Sequence, residues 1–505
     1  MSHIYPSPRQ TANSPSSRRF SAQTDHSFNQ QTVLATPIAP MNQILPESVL
    51  RLIFDYSIQG PVALPPPIDD QQRVLTQVCQ DWRDTIVDTP FYWKSFNFVP
   101  WKVQRKDLVR LAECFFGHSG ETIPLSVSFG GSLQSEDGRN IFEFVIRPRA
   151  HRIRFFSCSI TKETLKIVFG CDPVHFPILQ AIDVAVMCDL NGTITSRLPL
   201  SGSIDLSGLQ RAPRLQDATL RILGGIHPAD LKLRWGHLTR IDLGHTCVLV
   251  PTFMKAMEEC VLLEDGVFCI SFARYYDGQP TRLRRISIPR LRCLCLRLVE
   301  PSLDARIFAS LHIPLLEELE VERDEVGQAI RDITIYETLF AGMDANIKRV
   351  TIAEYAIPTT RWSLPRLNHR MMYQRLDGVL RSCDHLTSFF LCPGIFIHPL
   401  VLDKLSTGEF LPRLEEFGVS SVHGWDIIWM VQRKNFASTF PDSGPSSSPA
   451  ARSTRPVALN YLHLSTMGYG LAKADIQKLE DAATALDLAS GYIIKGIDIG
   501  DGSNH

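Results

Sequence analysis

The sequence predicts an α/β repeat protein, with three short N-terminal helices followed by an irregular solenoid of strand-and-helix units. Three observations predict it. At 505 residues the chain is too long for one compact core, while 44% apolar and 21% charged residues suit ordinary folded protein. Apolar residues recur at helical spacing between positions 44 and 94. Further on, the pattern Pro-x-Leu-x-x-apolar-x-apolar recurs at Pro177, Pro213, Pro289, Pro314 and Pro412. Chance predicts about 0.6 such sites for a leucine frequency of roughly one in ten.

In chain order, residues 1–40 are rich in Ser, Gln, Thr and Pro, with Asp25 the one acid, and read as a disordered tail. They lack the apolar core of a signal peptide, and Pro6, Pro8 and Pro15 would interrupt the helix of a transit peptide. Residues 41–100 form the helical segment. Pro46 suits a first helical turn, where a missing N–H costs nothing, and Glu47 complements the positive helix end. Val49, Leu50, Ile53 and Phe54 follow as a stripe. Pro65-Pro66-Pro67 interrupts it, leaving a long connection from Ser57 to Gln72. A second stripe, Leu75, Val78, Cys79 and Trp82, is expected on one helix, and a third element carries Ile86 and Val87 before Pro90. Helices this short leave apolar surface that the rest of the chain or another protein must cover.

These residues resemble the F-box. The segments Leu45-Pro46-Glu47-x-Val49-Leu50-x-x-Ile53-Phe54, Leu75-x-x-Val78-Cys79-x-x-Trp82 and Thr89-Pro90-x-x-Trp93 occur in that family's order over about 50 of the 505 residues. The Ser57–Gln72 connection is longer than is usual there. The resemblance implies docking onto the adaptor subunit of cullin–RING ubiquitin ligases, through Leu45, Pro46, Val49, Leu50, Ile53, Phe54, Val78, Trp82 and Trp93. A few apolar anchors carry most of the energy in such contacts.

Residues 101–150 read as a connecting helix (Leu108–Phe116) and strand (Ile123–Phe129). Residues 151–490 carry the repeats, at spacings of 23 to 45 residues from Ile153 to Leu459. Apolar residues at template positions 4 and 6 fall on one side of a short strand, and position 1 packs beneath. Segments such as Phe253–Met257 and Arg375–Leu380 suit return helices. A unit of this kind seals its apolar face only against its neighbours. The pattern resembles divergent leucine-rich repeats, without the Asn or Cys that usually follows the strand. Residues 435–456, rich in Ser and Pro, read as a disordered loop, and 491–505 as a tail.

The chemistry is sparse. No P-loop, G-x-G-x-x-G, H-E-x-x-H or G-x-S-x-G occurs, so no catalytic residue, metal site or cofactor is assigned. The net charge of −1 argues against a dedicated nucleic-acid binder, and no apolar run reaches the roughly 18 residues of a membrane span. Twelve cysteines with no C-x-x-C read as reduced thiols, hence an intracellular protein, cytoplasmic or nuclear. Glu317-Glu318 and Glu415-Glu416 read as solvated strand flanks. Arg282, Arg284 and Arg285, in the densest basic patch with Arg290 and Arg292, are candidates to grip an acidic or phosphorylated target. Arg147, Arg149, Arg152 and Arg154 form a second cluster. The function expected is target recognition for a ubiquitin ligase, without catalysis by this chain. The partners are then the adaptor and an unknown target protein. The alternative is a repeat scaffold outside any ligase.

Overall fold

The computed structural model describes residues 45–466 with interruptions, the longest at 188–206, 272–283, 325–339, 356–372 and 440–455, and beyond 466 only residues 477, 478 and 481. The expected tails 1–40 and 491–505 lie outside the described residues, as does most of the expected loop. The chain divides into two compact units, Met1–Phe54 and Asp55–His505.

The described part of the first unit is the opening of helix α1 (Glu47–Ser57), within which the boundary falls. The Pro46 carbonyl accepts hydrogen bonds from the amides of Val49 and Leu50, so the helix starts where the proline predicts. Leu50 and Phe54, one turn apart, are buried.

The second unit opens with a strand, β1 (Val62–Leu64), then α2 (Gln71–Leu75), α3 (Gln80–Val87), a 3-10 turn (Pro90–Trp93) and β2 (Ser95–Phe98). β1 and β2 pair in parallel, Val62 with Phe96 and Leu64 with Phe98. They are the first members of a fourteen-stranded sheet. The expected N-terminal three-helix module followed by a solenoid is therefore overturned. The long connection that sequence reading left empty holds a strand of the main sheet, so the helices after it are crossovers of that sheet. The second helical stripe is also broken. The chain turns at Thr76–Val78, where Arg83 Nε donates to the Thr76 carbonyl at 3.0 Å, so Leu75 and Trp82 sit on different helices.

The sheet continues through β3 (Leu125–Ser132), β4 (Ile153–Thr161), β5 (Ala181–Met187), β6 (Asp217–Ile222), β7 (Arg240–Leu249) and β8 (Asp265–Ser271). After the short β9 (Ile286–Ser287) come β10 (Cys293–Val299), the short β11 (Leu311–His312), β12 (Glu318–Asp324) and β13 (Arg349–Tyr355). The short β14 (Tyr373–Gln374) precedes β15 (Ser388–Leu391), the short β16 (Phe396–Ile397), β17 (Glu416–Ser421) and β18 (Tyr461–Thr466). β9 pairs with β11 and β14 with β16, as two small sheets apart from the main one. Every pairing is parallel, and each main-sheet strand lies beside its predecessor and successor in sequence. Helices such as Val250–Glu259 and Pro399–Thr407 fill the returns.

The recurrent proline has a definite job. In Phe176-Pro177-Ile178-Leu179 the Leu179 amide bonds the Phe176 carbonyl, and the same closure joins Leu215 to Ala212, Leu316 to Ile313 and Leu414 to Leu411. Each is a β-turn with Pro at its second position, where a fixed φ is already correct. The turn delivers a buried Leu and then the strand. At strand entry one carbonyl accepts two amides from the next strand: Arg292 O from Glu317 and Glu318, Glu317 O from Lys348 and Arg349, Lys348 O from Thr387 and Ser388. This repeated bond locks neighbouring strands in register.

Template positions 1, 4 and 6 are buried, as at Leu316, Leu319 and Val321. Under β2–β4 the core is aromatic: Phe96 stacks on Phe116 at 4.0 Å and Phe98 on Phe129 at 4.6 Å. The helix Trp425–Thr439 runs through the first residues of the expected loop. Asn435 is buried there and its Oδ1 accepts the Leu459 amide at 2.8 Å, so residues 435–439 are helix where a disordered loop is expected.

Candidate interaction surface

The proposed adaptor contacts separate by burial. Leu50, Phe54 and Trp93 are core residues. Trp93 Nε1 donates to the Ile86 carbonyl at 2.8 Å, and its ring meets Phe115 and His118. These three are corrected from docking contacts to supports, because their apolar surface is already taken up by the fold. Leu45, Val49 and Ile53 are half-exposed and Pro46 is exposed. Leu52, which sequence reading passed over, is 58% exposed. Val49, Leu52 and Ile53 stand at i, i+3 and i+4, so the helix carries an open apolar stripe beside its buried one. The sequence signal was there: α1 has more apolar residues than one face can take.

In the second unit Val78 is 56% exposed, and Tyr56, Val74 and Phe91 are exposed as well. Trp82 is half-buried. Tyr92 is buried; its hydroxyl donates to Asp55 Oδ1 at 3.0 Å, and its carbonyl accepts from the buried Gln72 Nε2 at 2.8 Å. The apolar residues on show thus stand beside a polar frame in which Gln72 Nε2 and the Tyr92 hydroxyl are bonded, while Gln72 Oε1 is buried without a hydrogen-bond partner among the described residues.

The described target-binding arginines, Arg284 and Arg285, lie outside the strands of the main sheet. Arg285 is exposed and Arg284 forms an ion pair with Glu258 at 2.8 Å, both just before β9 of a separate small sheet. Arg282 lies outside the described residues. Arg152 is buried, and its guanidinium donates to the carbonyls of Ser119, Gly120 and Ile123. It braces a loop and is unavailable to a partner.

The main sheet presents a surface that sequence reading missed. Residues at template positions 3, 5 and 7 alternate with the buried ones and point to the opposite face, where most are half-exposed. Parallel sheets are ordinarily covered on both faces. Along β5–β17 this face carries eight carboxylates, Asp183, Asp217, Asp242, Asp265, Glu318, Glu320, Glu322 and Glu416, against the guanidinium groups of Arg221, Arg240, Arg297 and Arg349. Each arginine is paired: Arg221 with Asp183 at 3.2 Å, Arg240 with Asp265 at 3.3 Å, Arg297 with Glu322, and Arg349 with Glu416 at 3.5 Å. Asp217, Asp242, Glu318 and Glu320 have no ion-pair partner among the described residues.

Two local devices shape the face. In β7 the register to β8 shifts between Leu243 and Cys247, a bulge of the kind that re-aims side chains. Thr246 fills the interrupted ladder: its hydroxyl donates to Leu220 O at 2.7 Å and accepts from the Ile222 amide at 3.0 Å. His245 is left exposed there, its pKa lowered by burial of the ring and then by Arg297. Arg297 also donates to the Gly244 carbonyl, and a Cβ at Gly244 would lie 2.7 Å from its Nη1. Further along, Cys295 Sγ and the carboxylates of Glu320 and Glu322 lie within 4.8 Å of one another. Burial, then Glu320 and Glu322, push the Cys295 thiol up to about 12, so it stays protonated at neutral pH. Burial, with neighbouring acids adding, also raises Asp217 and Asp265.

A cleft of about 460 Å³ is lined by Thr407, Trp429, Gln432, Arg433 and Phe436. No family model matches this chain, and no curated protein matches it significantly. Among the described residues no helix is long and apolar enough to cross a membrane.

Proposed function

We propose that this chain is the target-recognition subunit of a cullin–RING ubiquitin ligase. Residues 45–53 dock on the adaptor, the half-exposed polar sheet face receives a target protein, and the chain supplies no catalytic group. The observation that carries the reading is the open apolar stripe at Pro46, Val49, Leu52 and Ile53. It falls on the segment that resembles the F-box. A helix whose inward stripe is already buried has no folding use for a second, and such residues serve as anchors for a partner groove. The mechanism is proximity: tethering raises the effective concentration of target lysines near a conjugating enzyme held elsewhere in the complex. The reading implies an intracellular protein, cytoplasmic or nuclear.

Copurification of the full chain with the adaptor tests it. Capture by the wild type and loss on Leu45→Asp with Pro46→Ala are expected, with the thermal melt unchanged because both side chains are at least partly exposed. Absence of the adaptor from the wild-type complex, or its undiminished capture by the double variant, leaves the chain as a scaffold outside the ligase.

A further inference from the structure

We infer that the sheet face from β12 to β18 binds an extended, Lys/Arg-bearing segment of the target protein. The inference rests on the target-recognition reading and names the chemistry of its partner.

Three independent features converge there. Glu318 and Glu320 on β12 lack ion-pair partners among the described residues, and Arg349, the register neighbour of Glu318 on β13, is given to Glu416 on β17. Between Arg349 and Glu416, in register with both, lies Ser388. It is 2% exposed and its Oγ has no hydrogen-bond partner among the described residues. A buried hydroxyl left unmade costs about 1–3 kcal/mol, which a polar group of a ligand recovers. Beside it on β15 is Phe390, whose ring lies 6.2 Å from that of Tyr461, both half-exposed. Gly418 of β17 makes room for the Phe390 ring: a Cβ there would sit 2.1 Å from its Cδ1. The aromatic platform is therefore built into the backbone.

Acids without a cationic partner among the described residues, an orphaned hydroxyl and an aromatic platform match a side chain that is a long aliphatic stem ending in a cation. The stem lies on the rings, with a cation–π contribution, and the head reaches the carboxylates. From β12 to β18 there are four strand spacings of about 4.8 Å, roughly the length of six extended residues. Nucleic acid and anionic membrane fail on charge, since both would meet Glu318 and Glu320.

The test is selection of random dodecapeptides on the full-length chain at low salt, followed by affinity measurement of the best binder. Enrichment of Lys and Arg is expected. Glu318→Gln with Glu320→Gln should weaken the selected peptide roughly tenfold, as should raised salt on the wild type. Both glutamates are accessible, so this variant should fold, and the salt series needs no variant. Neutral or acidic consensus peptides, or affinity indifferent to both salt and the variant, would overturn the inference. The selection uses no adaptor, so its failure leaves docking by residues 45–53 to be judged by copurification alone, and the converse holds.

Discussion

Lys434 shows how a single residue is paid for by its surroundings. It is fully buried, and its Nζ donates to the Leu411 carbonyl at 3.2 Å, a residue held at φ 45° ahead of the Pro412 turn. Burial lowers its pKa from 10.5 to about 8. The unfolded chain keeps the proton to about 10.5 while the folded chain releases it from about 8, so between these values the unfolded state binds more protons and stability rises with pH. Relative to Lys434→Met, the wild type should gain roughly 3 kcal/mol across that window in urea melts. A pH-independent difference contradicts the assignment. Thr246 offers a second residue-scale prediction. Thr246→Val keeps the shape and removes both bonds that mend the β6 ladder, so it should cost about 1–3 kcal/mol in the same assay. None of this was legible beforehand. Lys434 carries no local sign of burial, since a lysine one residue ahead of the Ser/Pro-rich stretch 435–456 reads as exposed, and Thr246 is one hydroxyl among many until the bulge is seen.

The elements were legible where local chemistry and tertiary structure agree. The Pro-x-Leu pattern located strands because the turn, the buried Leu and the alternating strand are one continuous local signal. Pro314→Ala, which loosens that turn mainly in the unfolded chain, should therefore cost about 0.4–1 kcal/mol with the native fold intact, measured by denaturant midpoint. Three elements escaped. β1 is three residues long and owes its existence to β2, so nothing in Val62–Leu64 alone announces it. The Leu75–Trp82 stripe has perfect helical spacing, yet the chain turns at residues 76–78, and spacing cannot report that break. The polar face was readable in principle, since it occupies positions 3 and 5 of a template whose positions 4 and 6 were already placed. Glu318 and Glu416 read as solvated strand flanks, while the other acids are spread one or two to a repeat and carry no local signal of a shared face.

On the scale of the whole molecule, near-neutral net charge conceals a separation of charge. A chain at −1 overall presents a sheet face on which acids outnumber arginines two to one. Composition averages over the parts that matter for recognition, so a summed charge excludes few partners. The division of labour proposed here sets apolar anchors at residues 45–53 and a charged face in the second unit. The two contacts should therefore respond differently to solution conditions. Adaptor capture should vary little with added salt, while target binding should weaken steeply. Equal salt sensitivity of the two would argue against the division.

The most direct test of the central claim is amide hydrogen exchange on the full chain, with and without purified adaptor. The account predicts slowed exchange confined to the opening of α1 around residues 45–54, with the strands from β12 to β18 unchanged. No change at those residues in the presence of saturating adaptor would contradict it.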